Sequence, residues 1–173
     1  MWHVLTGSPS SGKSTLISAL SDLGYTTTHD AGRELIDQAL AKGKSLEQVG
    51  VDSPKFEMTC ARSQYAAEHK LDEKKIAFLD RAVPDSLGYF IHYGWPVPPE
   101  LSKLLATHSY GKIFLLELLD YDKDYARVES PETALAMQGC FKKAYQQLGY
   151  EVITIPRDSV ENRLKLILSY IRD

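Results

Sequence analysis

The sequence predicts a three-layer α/β protein, a mainly parallel sheet of five strands covered by helices on both faces. Three observations carry that expectation. Short apolar runs alternate with helix-like stretches along the chain, a glycine-rich loop joins the first strand to the first helix, and an acid stands at the end of an apolar strand.

The first strand covers 2–6, where Trp2, Val4 and Leu5 are apolar and Val4 and Thr6 are β-branched. The run Gly7-Ser8-Pro9-Ser10-Ser11-Gly12-Lys13-Ser14 follows, and 14–20 places Leu16, Ile17 and Leu20 at helical spacing. Gly24 closes that helix, and a short strand covers 25–28. A helix over 31–42 ends at Gly43, and Ser53-Pro54 opens another that runs to about 72. The apolar strand 76–79 ends at Asp80. A helix over 84–93 precedes the proline-rich stretch 95–99, which breaks regular structure. A short helix over 99–107 leads to a strand over 112–118. Polar 120–130 is a loop, Pro131 opens a helix to about 148, and Gly149 closes it. The last strand is 152–155, and Asp158 with Glu161 resembles a capping box for the last helix.

With 173 residues and no linker, repeat or low-complexity tract, one domain over 1–173 is expected. A formal charge of −3 argues against a broad nucleic-acid footprint. No apolar run approaches the length of a membrane span, and the first strand starts too early for a signal peptide. The two cysteines, Cys60 and Cys140, are far apart, which suits small core residues in a reducing, cytoplasmic compartment. The five histidines show no metal-ligand spacing.

The loop after the first strand matches Gly-x-x-x-x-Gly-Lys-Ser/Thr at every fixed position, in the strand–loop–helix setting that gives the motif meaning. Its backbone N–H groups and the helix N-terminus suit phosphate oxygens. Residues Gly7 to Thr15 (Gly7, Ser8, Pro9, Ser10, Ser11, Gly12, Lys13, Ser14, Thr15) are therefore expected to hold a nucleoside triphosphate. Lys13 would reach the β- and γ-phosphates, and Ser14 would ligate Mg²⁺. ATP is the expected nucleotide, with GTP left open although no Asn-Lys-x-Asp motif is present.

Asp80 follows four apolar residues at a strand end, where a carboxylate organises Mg²⁺ or accepts a proton. Water-using NTPases commonly place a glutamate next; here Arg81 stands there, and Asp80-Arg81-Ala82-Val83-Pro84-Asp85 offers acid, base and acid along one turn. That favours phosphoryl transfer to a small molecule, with Arg81 neutralising charge and Asp85 orienting the acceptor. Alternatively Arg81 simply pairs with Asp85. Asp30 and Arg33, after the second strand, are further acceptor-binding candidates; an N-cap role for Asp30 competes. Arg62, in mid-helix, faces either the acceptor or solvent, and arginine's usual exposure favours solvent. Arg127, in the polar loop 120–130, is expected to act from a lid, or else to pair with Asp124 or Glu129. Pro156 and Arg157, after the last strand, are placed near the nucleotide base.

Together T-G-S-P-S-S-G-K-S-T, H-D-A-G-R-E-L-I, F-L-D-R-A-V-P-D-S-L-G-Y, D-Y-A-R and I-P-R-D-S-V-E-N-R resemble a known group. It is the small AAA-domain ATPase/kinase-like family, similar to the ribosylnicotinamide kinase domain of bacterial NAD-biosynthesis regulators. The resemblance spans almost the whole chain and implies a P-loop NTPase fold of nucleotide-kinase type, with strand order 2-3-1-4-5. Family members often carry an acid followed by Ala-Ala-Arg after the second strand. Here the run is Asp30-Ala31-Gly32-Arg33.

The expected function is a Mg²⁺-dependent kinase moving the ATP γ-phosphate to a small, nucleoside-like acceptor. A nucleotide-dependent switch or slow NTPase acting through a protein partner is the rival.

Overall fold

Five parallel strands, β1 (Trp2–Thr6), β2 (Thr26–Thr28), β3 (Ala77–Asp80), β4 (Ile113–Leu116) and β5 (Val152–Ile155), form one sheet in the order β2-β3-β1-β4-β5. This is the order the family resemblance implies. The computed structural model describes residues 1–107, 109–119 and 130–171. Eight helices lie among them: α1 (Lys13–Asp22), α2 (Ala31–Ala41), α3 (Leu46–Val49), α4 (Pro54–Glu68), α5 (Val83–Tyr93), α6 (Pro99–Leu105), α7 (Pro131–Gln147) and α8 (Val160–Ser169). No described helix is long and apolar enough to cross a membrane.

The three central strands β1, β3 and β4 are buried along their length because helices cover both faces of the sheet, whereas the edge strands β2 and β5 are only partly buried. Alternation sorts their side chains. Leu5, Phe78 and Phe114 pack with Leu16, Ile17 and Leu20 of α1 and Ile167 and Leu168 of α8. Val4, Leu79 and Ile113 turn to the opposite layer with Tyr145 of α7. A third cluster (Met58, Ala61, Val83, Phe90 and Leu101) joins α4, α5 and α6.

Register fixes the working edge. Leu5 lies opposite Asp80, and Thr6 opposite Leu115, so the loop after β1 and the acid ending β3 emerge side by side. Three local expectations need correction. The stretch after α2 holds the extra one-turn helix α3, nucleated by a capping box in which Ser45 and Gln48 satisfy each other's backbone N–H. Helix α4 stops at Glu68, short of 72, where the Lys70 and Leu71 N–H groups bond the Ala67 and Glu68 carbonyls, three residues back instead of four. Helix α8 is capped by Ser159, whose hydroxyl accepts the Asn162 N–H, so the box does not run from Asp158 to Glu161. Asp158 instead accepts the Ser159 N–H and the Asn162 side chain.

Candidate active site

The loop after β1 wraps its own lysine. Lys13 Nζ donates to the carbonyls of Gly7 and Ser8, both at 2.9 Å, and to Ser11 Oγ at 3.2 Å. Gly7 has φ +140°, and a Cβ there would lie 2.8 Å from the Leu116 carbonyl oxygen. Only glycine fits that approach. Ser10 takes a left-handed φ of +64° without being glycine, a mark of local strain. Burial, reinforced by nearby Arg81, lowers the Lys13 ammonium to about 8, against the pull of Asp80, Asp30 and Asp85. From beneath, buried Arg163 of α8 donates to the Ser11 carbonyl at 2.8 Å and the Glu117 carbonyl at 3.3 Å.

Asp80 ends β3 with Oδ2 accepting the Ser14 hydroxyl at 3.2 Å, while buried Oδ1 has no hydrogen-bond partner among the described residues. Burial pushes this carboxyl up to about 6. An orphaned carboxylate oxygen beside a hydroxyl is an oxygen donor pair of the kind Mg²⁺ takes, with water and phosphate completing its shell. Among the described residues no group of three or more His, Cys, Asp or Glu could hold a metal, so the phosphates and water would supply most ligands.

Arg81 follows in a left-handed conformation, φ +67°, its N–H bonded to the Leu5 carbonyl at 3.0 Å. Its buried guanidinium donates Nε to Asp30 Oδ2 and Nη1 to Asp85 Oδ1, both at 2.9 Å. It also lies 4.9 Å from the Phe141 ring centroid and 5.6 Å from that of Tyr89. Asp30 caps α2, its Oδ1 accepting the Arg33 N–H at 3.1 Å, and it also lines the cavity. Burial works against its ionisation, but Arg81, the Arg33 N–H and Lys13 outweigh that and hold its carboxyl low. Asp85 is occupied on both oxygens. Thr6 Oγ1 (2.6 Å) and Arg81 share Oδ1, and the Ala82 N–H (3.1 Å) and the Tyr145 hydroxyl share Oδ2.

Beside the loop opens a cavity of about 440 Å³. Its wall on α4 carries Glu57, Cys60 and Gln64, spaced to share one helix face; Ser86 and Tyr89 of α5 stand among the other lining residues. Burial pushes the Glu57 carboxyl up to about 8, against a hydrogen bond with Ser86 and the nearby Arg81. Arg33 lines the cavity too, with Nε 3.7 Å from Asp37.

The structure does not bring Arg62 to this cavity. Its Nε and Nη2 each donate at 2.7 Å to Glu100 of α6 on the exposed side of α4. Pro156 and Arg157 are exposed on the loop between β5 and α8 and do not line the cavity; the Arg157 N–H bonds Glu117 Oε2 at 3.1 Å. Arg127, with the lid proposed for 120–130, falls outside the described residues except for Ser130, which caps α7. Sequence reasoning missed Glu57, Ser86, Tyr89 and Arg163. For Glu57 a signal existed, an acid on the same helical row as Cys60 and Gln64.

A family model described as an AAA domain matches residues 2–163. No curated protein matches the chain. Among solved structures, deoxyadenosine kinase from M. mycoides, with dCMP and dCDP bound, superposes with a TM-score of 0.71 at 13% identity over 99% of each chain. NadR in complex with NR gives a TM-score of 0.75 at 16% identity, covering 98% of this chain and 51% of that one. Thymidylate kinase from Ehrlichia chaffeensis gives 0.69 at 16% identity, covering 99% and 98%. At these identities the likeness is one of fold, the kinase-like P-loop architecture.

Proposed function

The chain belongs to the AAA domain family, and from that premise we propose that it is a cytoplasmic, Mg²⁺-dependent kinase. In this reading, residues 1–173 act as one domain that moves the γ-phosphate of ATP to the hydroxyl of a small, nucleoside-like acceptor. The observation that carries this reading is the cavity of about 440 Å³ lying directly against the phosphate loop. The cavity runs on from loop residues 9–15 to walls on α4 and α5, and that added room suits a transferase, whereas hydrolysis needs room only for water. The charges of the cavity support a hydroxyl acceptor over a phosphomonoester. Besides Lys13, its cations are Arg33 and Arg81, and Arg81 is already bound by Asp30 and Asp85, while Asp52 adds a further acid.

In the proposed mechanism Lys13 and the loop N–H groups of residues 7–15 hold the triphosphate, and Pro156 and Arg157 lie near the base. Ser14 and Asp80 would hold Mg²⁺, which when bound neutralises charge on the phosphate oxygens. Asp30, aimed by Arg81, accepts a hydrogen bond from the acceptor hydroxyl and keeps its oxygen in line. That oxygen bonds the γ-phosphorus, the bridging P–O bond breaks with its electrons leaving on ADP, and the hydroxyl proton passes to a carboxylate. Arg81, with two donor groups engaged, acts chiefly by positioning Asp30, and Asp85 holds Arg81 in place; Arg33 and Arg127 of the proposed lid complete the set, and Arg62 is left out.

The test is incubation with ATP, Mg²⁺ and a panel of nucleosides and nucleoside monophosphates, with products read by mass spectrometry. A nucleoside 5′-phosphate is expected. Consumption of ATP with no phosphorylated acceptor would favour the switch or hydrolase, and phosphorylation of monophosphates alone would overturn the charge argument.

A further inference from the structure

The geometry points to Glu57 and Ser86 as the subsite that reads the acceptor's head group, a neutral heterocycle presenting an amino group beside an unprotonated ring nitrogen. This rests on the reading of the cavity as the acceptor chamber. Glu57 sits in the first turns of α4, 7% exposed, and forms part of the cavity wall. The cation that would ordinarily accompany a buried carboxylate is Arg81, and its Nε and Nη1 donors already go to Asp30 and Asp85. The companion of Glu57 is the hydroxyl of Ser86. A buried acid in that setting keeps its proton at neutral pH, since burial holds it near 8.

A protonated carboxyl is an O–H donor and a C=O acceptor in one plane. The edge that matches both is an amidine, as on adenine or cytosine: the ring nitrogen accepts the proton and the amino group donates to the carbonyl. Tyr89 and Tyr93 of α5 and Phe56 of α4 line the same cavity and offer apolar surface to a flat ring. A glutamine would give the same donor–acceptor pattern without ever ionising. Ionised Glu57 would meet the ring nitrogen with a lone pair against a lone pair.

Other charged or titratable groups facing Glu57 are Asp30 before α2, Arg81 after β3, Asp85 on α5 and Cys60 on α4. Asp30 and Arg81 keep their charges between pH 7 and 9, and burial pushes the Cys60 thiol above that range. A group titrating near 8 is about nine-tenths protonated at pH 7 and about one-tenth at pH 9, so head-group affinity should fall roughly tenfold.

The experiment is calorimetric titration of adenosine and of cytidine, neither of which titrates in this range, into the full chain without nucleotide at pH 7, 8 and 9. N6,N6-dimethyladenosine and uridine serve as comparators. For one of the two amidine nucleosides, Kd is expected to rise about tenfold from pH 7 to 9, and the comparators should bind at least tenfold more weakly at pH 7. Glu57→Leu should lose at least tenfold at pH 7. Glu57→Gln should lose less and show no pH response; as it keeps Lys13, a slope persisting in E57Q would belong to Lys13 and overturn the assignment. Equal binding of the dimethylated nucleoside would also overturn it, as would no binding of any nucleoside. Binding with the expected pattern but no phosphorylated product would support the subsite and sink the kinase reading, which separates the two.

Discussion

Asp85→Asn removes the charge of a carboxyl that takes four protein donors while keeping its shape. Asp85 Oδ1 takes Thr6 Oγ1 at 2.6 Å and Arg81 Nη1 at 2.9 Å; Oδ2 takes the Ala82 N–H at 3.1 Å and the Tyr145 hydroxyl. An amide cannot reproduce this. Whichever way it is turned, one acceptor becomes an NH₂ facing protein donors, and Arg81 loses one of its two counter-charges. Breaking a buried pair from one side costs about 3–5 kcal/mol, and because Asp30 still holds Nε the lower end, about 3 kcal/mol, is expected. For a chain of this size each kcal/mol lowers Tm by about 2–4 °C, so a fall of about 6–12 °C should appear in circular dichroism melts at pH 7 without nucleotide. The urea midpoint should fall with an unchanged slope. Thr6→Val, which removes one neutral donor to the same oxygen, should cost about 1 kcal/mol. A Tm within about 2 °C of wild type for Asp85→Asn would refute the account of Asp85 as a fully engaged structural group and return it to the acceptor.

Three further outcomes follow. Asp80→Asn should still bind ATP–Mg²⁺ in calorimetry, with turnover at least about a hundredfold lower, because the amide removes negative charge beside Ser14; near-normal turnover would make Asp80 a structural cap. Raised from about 4.5 unfolded to about 8 folded, Glu57 binds a proton in the native state that the unfolded chain has released. Its contribution is thus complete below pH 4.5 and lost as pH rises through 8, and wild type should lose a few kcal/mol from pH 5 to 9 that Glu57→Gln does not, read by melts across that range. Arg62→Ala should leave acceptor KM within about twofold and the melting temperature close to that of wild type, since its pair with Glu100 is exposed; a large KM rise would place it at the site after all.

Most of what the sequence made legible is encoded within a few residues. The phosphate loop, the acid ending β3 and the five strands are local patterns of apolar runs and glycines, and α4 and α5 began near where proline at their first turn placed them. The one-turn helix α3 has too few residues to show periodicity, although Ser45 and Gln48 carried its capping box. The solvent side favoured for Arg62 had a further local sign: the row Glu57, Cys60 and Gln64 turns inward, and Arg62 lies off that row. The remainder was not readable. That Arg81 joins Asp30 to Asp85, or that Tyr145 closes onto Asp85, depends on pairs 51 and 60 residues apart, which only the folded sheet brings together.

The bond from Arg163 to the Ser11 carbonyl has a consequence in time. It spans 152 residues and ties the loop after β1 to α8. During synthesis the phosphate loop emerges 152 residues ahead of the guanidinium that props it. Nucleotide would therefore meet a finished cradle only once α8 has docked, and its capture would report that Arg163 is in place.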